Sequence, residues 1–328
     1  MHRPATTILL AVILACAIGV PALAQNSGAA VRYSVQQRWD LGPASRWDYV
    51  DIDPQRHRLF LTRADRVQVI DLATGKPVGE IAGTAGVHGV AFAQELNLGF
   101  TSNGKSNSVT VFDLGSLAVK QELKVSGVDP DTILYEPGAR KLYTFNGKSN
   151  DVSVIDAVTL KALATIKVGG TPEFAVSDHA GRIFMNIESS AEIVVLDVAA
   201  DKVLARWPIA GCEEPTGLAL DRAHDRLFSV CRNKVMAVID SKNGRKITEV
   251  AIGARPDAAA YDADSGTVFS SNGDGTLSVI RQLDADHYSA ATLATVKGAR
   301  TMAFDQASKK VYLPSVANQV FTVLVVAP

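Results

Sequence analysis

Seven positions spaced 41 to 43 residues apart hold most of the side chains that could do chemistry in this chain: Asp48, Gly89, Asp131, Glu173, Thr216, Asp257 and Arg300. Four are carboxylates and one is a guanidinium. Carboxylates brought together raise one another's pKa unless a cation sits among them. Such a set is suited to holding a metal ion, an amine or ordered water. Oxygen-only ligation by Asp48, Asp131, Glu173 and Asp257 would favour calcium or magnesium over zinc. No cofactor is required for the set to exist. Trp47, Tyr49 and His88 adjoin these positions and add an aromatic wall and an acid or base. The structural alternative is that the polar groups bond to open backbone N–H groups at strand starts and to channel water.

Other chemistry finds less support. No Gly-x-Ser-x-Gly elbow or Ser/His/Asp spacing is recognisable, and the Gly-rich stretch Ser271–Gly275 precedes no helix that could cradle a phosphate. His57, His179, His224 and His287 fall in separate turns and are expected to be solvated. With 33 Lys+Arg against 34 Asp+Glu the net charge is -1, which excludes a broad basic field for nucleic acid. The loops Asn103–Asn107 and Asn146–Asn150, with Arg63, Arg232 and Lys234, put some positive charge near the acids. Single-stranded nucleic acid would also need aromatic platforms, and Trp47 and Tyr49 alone are near.

Residues so far apart in sequence meet only if the chain returns each time to the same point. A turn residue closes a short β-like run at Asp53, Gln94, Glu136, Asp178, Asp221, Asp262 and Asp305, again 41 to 43 residues apart. A second column keeps step at Asp71, Asp113, Asp156, Asp197 and Asp240. Within a unit the apolar residues alternate, as in Thr132–Tyr135, Lys141–Phe145, Val152–Ile155 and Ala162–Val168, so each unit holds four short strands. Four-stranded units at this period predict an all-β, seven-bladed β-propeller. The last unit is too short for four strands. The segment near Val31 to Leu41, whose Arg38-Trp39 resembles Arg206-Trp207 of the fourth unit, is expected to complete it and close the ring. In that arrangement the seven positions listed first begin the inner strands and surround one mouth of the channel, the upper face.

The amino terminus reads as an export signal: His2 and Arg3, an apolar run from Ile8 to Val20, then small residues at Ala22 and Ala24. Cleavage after Ala24 would leave residues 25–328 as one propeller domain, periplasmic or secreted. Cys16, inside the apolar run, is a weaker candidate for lipid attachment. In an oxidising compartment Cys212 and Cys231, both mapped to the upper face, are expected to form a disulfide.

Leu142–Asn146, Asn150–Asp156 and Ala164–Gly169 with Pro172, echoed by Phe100–Asn103 and Asn107–Asp113, resemble the repeat of the YVTN family of seven-bladed β-propellers, the YncE-like proteins. The resemblance covers nearly all of the chain after the signal, loosely in the last two units. It implies an exported protein of the binding or surface kind, single-stranded DNA binding having been attributed to some relatives. The expectation is a monomeric, non-catalytic binding or scaffold protein offering its channel mouth to a small molecule, an ion or a periplasmic protein, with nucleic acid disfavoured. The rival is a metal-dependent lactonase or lyase using the four acids as ligands and His88 as acid or base.

Overall fold

The computed structural model describes residues 1–2 and 32–328. The export signal, its cleavage point and Cys16 lie outside the described residues. From Tyr33 onward the chain folds into seven antiparallel sheets of four strands each. Their inner strands are Val50–Asp53, Val87–Ala93, Pro130–Glu136, Pro172–Ser177, Pro215–Asp221, Pro256–Asp262 and Ala303–Asp305. Six blades run outward in chain order. The seventh is composite: Ser34–Pro43 pairs with Val320–Ala327, with Trp39 opposite Val323, so both ends of the chain meet in one sheet. A strand supplied from the far end of the sequence removes the open edge on which a ring of sheets would fail.

The turn columns have a common cause. Asp71, Asp113, Asp156, Asp197 and Asp240 each accept N–H bonds from residues two or three further on, closing the hairpin between third and fourth strands. Asp53, Glu136, Asp178, Asp221, Asp262 and Asp305 do the same between first and second strands. Gln94 instead heads a short 3-10 turn, Gln94–Leu96.

Between blades the packing is apolar. Buried residues such as Val152, Val154, Ile183 and Met185 interleave from adjacent sheets. The outer strands of blades seven and four are matched as their sequences suggest. Trp39 covers Gly75, where a Cβ would stand 2.5 Å from the indole, and Trp207 covers Gly244 in the same way. Both glycines have positive φ, +68° and +77°. Glycine is needed twice over there, for the left-handed backbone and for the indole above it.

Candidate functional site

The site is assembled from the starts of the inner strands. Successive blades are latched to one another at this level by side chains of their neighbours. Thr301 Oγ1 donates to Asp48 O at 2.9 Å, and Thr216 Oγ1 to Pro256 O at 3.0 Å. Ser102 and Ser271 likewise donate to the carbonyls of Asp131 and Arg300. The backbone carrying the acids is therefore fixed from both sides, which restricts where their carboxylates point.

A cavity of about 590 Å³ opens on the upper mouth, and Asp48, Tyr49, His88, Asp131, Glu173, Asp257 and Arg300 all line it. Of the seven column positions, Gly89 and Thr216 do not. Thr216 is buried in its latch, and the Gly89 N–H is held by Ser102. Trp47 packs on Phe321 with ring centroids 5.7 Å apart and lines a smaller adjoining cavity of about 190 Å³ with Arg46, Lys105 and Lys148. Arg63 is not on the rim as expected: it is 2% exposed, stacks 3.9 Å over Phe321 and donates to Ser45, Gln68 and the Leu41 and Pro43 carbonyls. The sequence placed it at the end of a second strand, and the loop after the closing strand then folds over it.

Within the chamber the charges sort into groups. Arg300 Nε meets Asp257 Oδ2 at 2.5 Å and reaches Asp48 with Nη2 at 3.8 Å. His88 Nδ1 lies 2.6 Å from Asp48 Oδ2 and 3.6 Å from Asp131 Oδ1, while its Nε2 faces Asp129 Oδ1 at 3.7 Å. Asp129 is in turn paired with Lys148 at 3.1 Å. Burial pushes the Glu173 carboxyl up, and Asp131, Glu188, Asp257 and Asp48 push it further. Burial also raises Asp131, against the pull of His88, and raises Asp257 to about 6 although Arg300 opposes it. At His88 burial works against the charged form, yet the Asp48 hydrogen bond and the fields of Asp131 and Asp129 raise the imidazole above its usual value.

Tyr49 floors the chamber. Its ring meets Phe174 edge-on at 5.6 Å, its hydroxyl accepts from Thr132 Oγ1 at 3.1 Å, and burial among the acids holds the phenol protonated. Below it lies a second cavity of about 270 Å³, where burial raises Asp51 to about 7 against one hydrogen bond from the Val90 N–H.

Asp129, Arg46 and Arg255 belong to the chamber lining and were not singled out by the spacing. Asp129, Glu214 and Arg255 each precede the proline that opens an inner strand and each has positive φ, 61°, 45° and 55°. The X-Pro step before Pro130, Pro215 and Pro256 was the available signal. Arg232 lies on the lining as expected, tied to Glu188 at 3.2 Å and Glu214 at 2.9 Å. The other histidines sit in outlying turns. His179, His224 and His287 each lean on a local carboxylate, Glu136, Asp221 and Asp284. Cys212 and Cys231 are joined in a disulfide with Cα atoms 5.4 Å apart.

Fold and mouth together define a seven-bladed β-propeller with a polar chamber at one end of its channel. Among solved structures the chain is similar to Kuenenia stuttgartiensis hydrazine synthase, at 17% identity and a TM-score of 0.72, over 91% of this chain and 98% of that one. A likeness at this identity shows the fold. No protein-family model and no curated protein matches the chain. No helix among the described residues is long and apolar enough to cross a membrane.

Proposed function

We propose that this chain is an exported, YVTN-like propeller that works as a non-catalytic binding module, taking a small polar molecule or an ion into the upper chamber. One observation carries the proposal. Five acids, a histidine and four arginines converge on a single cavity of about 590 Å³, and three of the acids, Asp131, Glu173 and Asp257, are held above their usual carboxylate range chiefly by burial. Charged groups are kept out of water at such a cost where a ligand uses them. The disulfide supports export, since a bridge of this kind persists in an oxidising compartment.

The test is a thermal-shift screen of ions, amines and small metabolites on the purified chain. A ligand that binds the native state raises the melting temperature by mass action, and the shift should vanish in the double variant Asp131→Asn with Glu173→Ala, which removes an acid from each side of the chamber. A screen with no shift, or shifts indifferent to that double variant, refutes the proposal. The second reading, a metal-dependent lactonase or lyase, draws on the grouping of His88 with Asp48 and Asp131. It requires turnover of a lactone panel that chelation abolishes.

A further inference from the structure

Among the described residues, Asp48, His88 and Asp131 bring one ligand atom each within 4.8 Å of one another. His88 and Asp131 lie at the starts of the inner strands Val87–Ala93 and Pro130–Glu136, Asp48 lies two residues before Val50–Asp53, and all three face the chamber. The set differs from the four acids singled out by spacing, because it contains a nitrogen donor and leaves out Glu173 and Asp257.

Three features of this corner point to a cation. The first is an orphaned acceptor. Asp131 Oδ1 is shielded from solvent and has no hydrogen-bond partner, although it lies 3.6 Å from His88 Nδ1. One ring nitrogen carries at most one proton, and Asp48 at 2.6 Å takes that bond. An ion in place of the proton would serve both carboxylates. The second feature is spacing. Ligand atoms bound at roughly 2.1 Å around one ion stand about 3 to 3.4 Å apart for octahedral to tetrahedral geometry, and the 2.6 and 3.6 Å from His88 Nδ1 to the two carboxylates bracket that range.

Charge supplies the third. Lys148 is spent on Asp129, and Arg300 on Asp257, leaving it 3.8 Å from Asp48. The carboxyls of Asp48 and Asp131 are thus met most closely by His88, with Arg300 reaching only Asp48 and from 3.8 Å, a balance that a dication would complete. Asp129 lies beside the far nitrogen of the ring, as the carboxylate behind a metal-bound histidine does. Gly104 leaves room for this, since a Cβ there would stand 2.7 Å from His88 Nε2 and collide with Asp129.

We propose that Asp48, His88 and Asp131 bind a divalent transition ion of the manganese-to-zinc range in preference to calcium or magnesium, with Asp129 as the positioning residue for the imidazole. An imidazole nitrogen with two carboxylates is a mixed donor set that suits such ions, whereas calcium and magnesium are bound by oxygen. This rests on the upper chamber being the binding site, and it names the ligand held there.

The test is calorimetric titration of the chelator-treated chain with Zn²⁺ and, separately, Ca²⁺, with Co²⁺ absorption reporting the ligands. One equivalent of Zn²⁺ should bind, tighter than Ca²⁺ by about 10-fold or more. His88→Ala should abolish that preference. Asp129→Asn should keep the melting temperature, weaken Zn²⁺ by roughly 10- to 100-fold and shift the Co²⁺ band. His224→Ala, in a remote turn, should change nothing. Ca²⁺ binding as tight as Zn²⁺ overturns the proposal and leaves the broader site standing, as does Zn²⁺ binding that survives His88→Ala. If neither ion binds, the proposal fails. The broader reading fails with it only if amines and metabolites also give no thermal shift. Should His88→Ala misfold, the wild-type preference decides, and a Zn²⁺ to Ca²⁺ ratio below about 10 overturns the proposal.

Discussion

Replacing Asp51 by Asn is expected to stabilise the fold, and the gain should grow with pH. Asp51 faces the lower cavity, where burial raises its carboxyl from 3.8 to about 7 and only the Val90 N–H opposes that shift. A carboxyl with a folded-state pKa above its unfolded value destabilises the fold once ionised. Below the unfolded value there is no penalty, the penalty grows as pH rises between the two values, and above the folded value it is complete. At about 1.4 kcal/mol per pKa unit, the full penalty approaches ~4 kcal/mol, and roughly 1.5 kcal/mol of it is present at about pH 5. Asn keeps an oxygen to accept the Val90 N–H and never ionises, so Asp51→Asn should remove the penalty. Urea midpoints of both proteins, at about pH 5 and about pH 8, measure this, and the stabilisation should be larger at the higher pH by ~2 to 3 kcal/mol. A gain equal at both values, or a loss at the higher one, would refute the assignment of a raised pKa to burial.

Three further outcomes are expected. Reducing the Cys212–Cys231 bridge, which closes a loop of 19 residues' separation, should lower stability by about 3 kcal/mol, and an unchanged melting temperature under reductant would contradict it. Gly75→Ala and Gly244→Ala should each destabilise by ~2 kcal/mol or more, from left-handed strain and the indole above, whereas Gly181→Ala has open space and should show the strain alone. Arg300→Gln should raise the Asp257 pKa above its present value of about 6, because the guanidinium is what opposes its burial. Carboxyl NMR titration would show this, and an unmoved Asp257 would refute the pairing.

The fold was legible because the same local solution recurs. Every first hairpin except that at Gln94 has an acidic acceptor for its free N–H groups, so Asp or Glu returns at a near-fixed interval and marks the blades even where the strands diverge. The composite last blade was legible from Arg38-Trp39, since its indole must find the same glycine in the next blade that Trp207 finds. The ring of acids followed from the register. Which acids would group did not, because that depends on side-chain direction across a curved wall. Hence His88 joined Asp48 and Asp131, Glu173 stood apart, and Arg63 turned inward onto Phe321. Asp51 was within reach of sequence reasoning: it lies two residues past Tyr49, which directly precedes the inner strand Val50–Asp53, and a period of two points both at the channel.

A cobalt-soaked crystal, examined by anomalous diffraction, bears most directly on the upper chamber as the site of an ion. The expected peak lies between Asp48, His88 and Asp131. Density confined instead to the turns that hold His224 with Asp221 or His287 with Asp284, leaving the chamber without a peak, would contradict it.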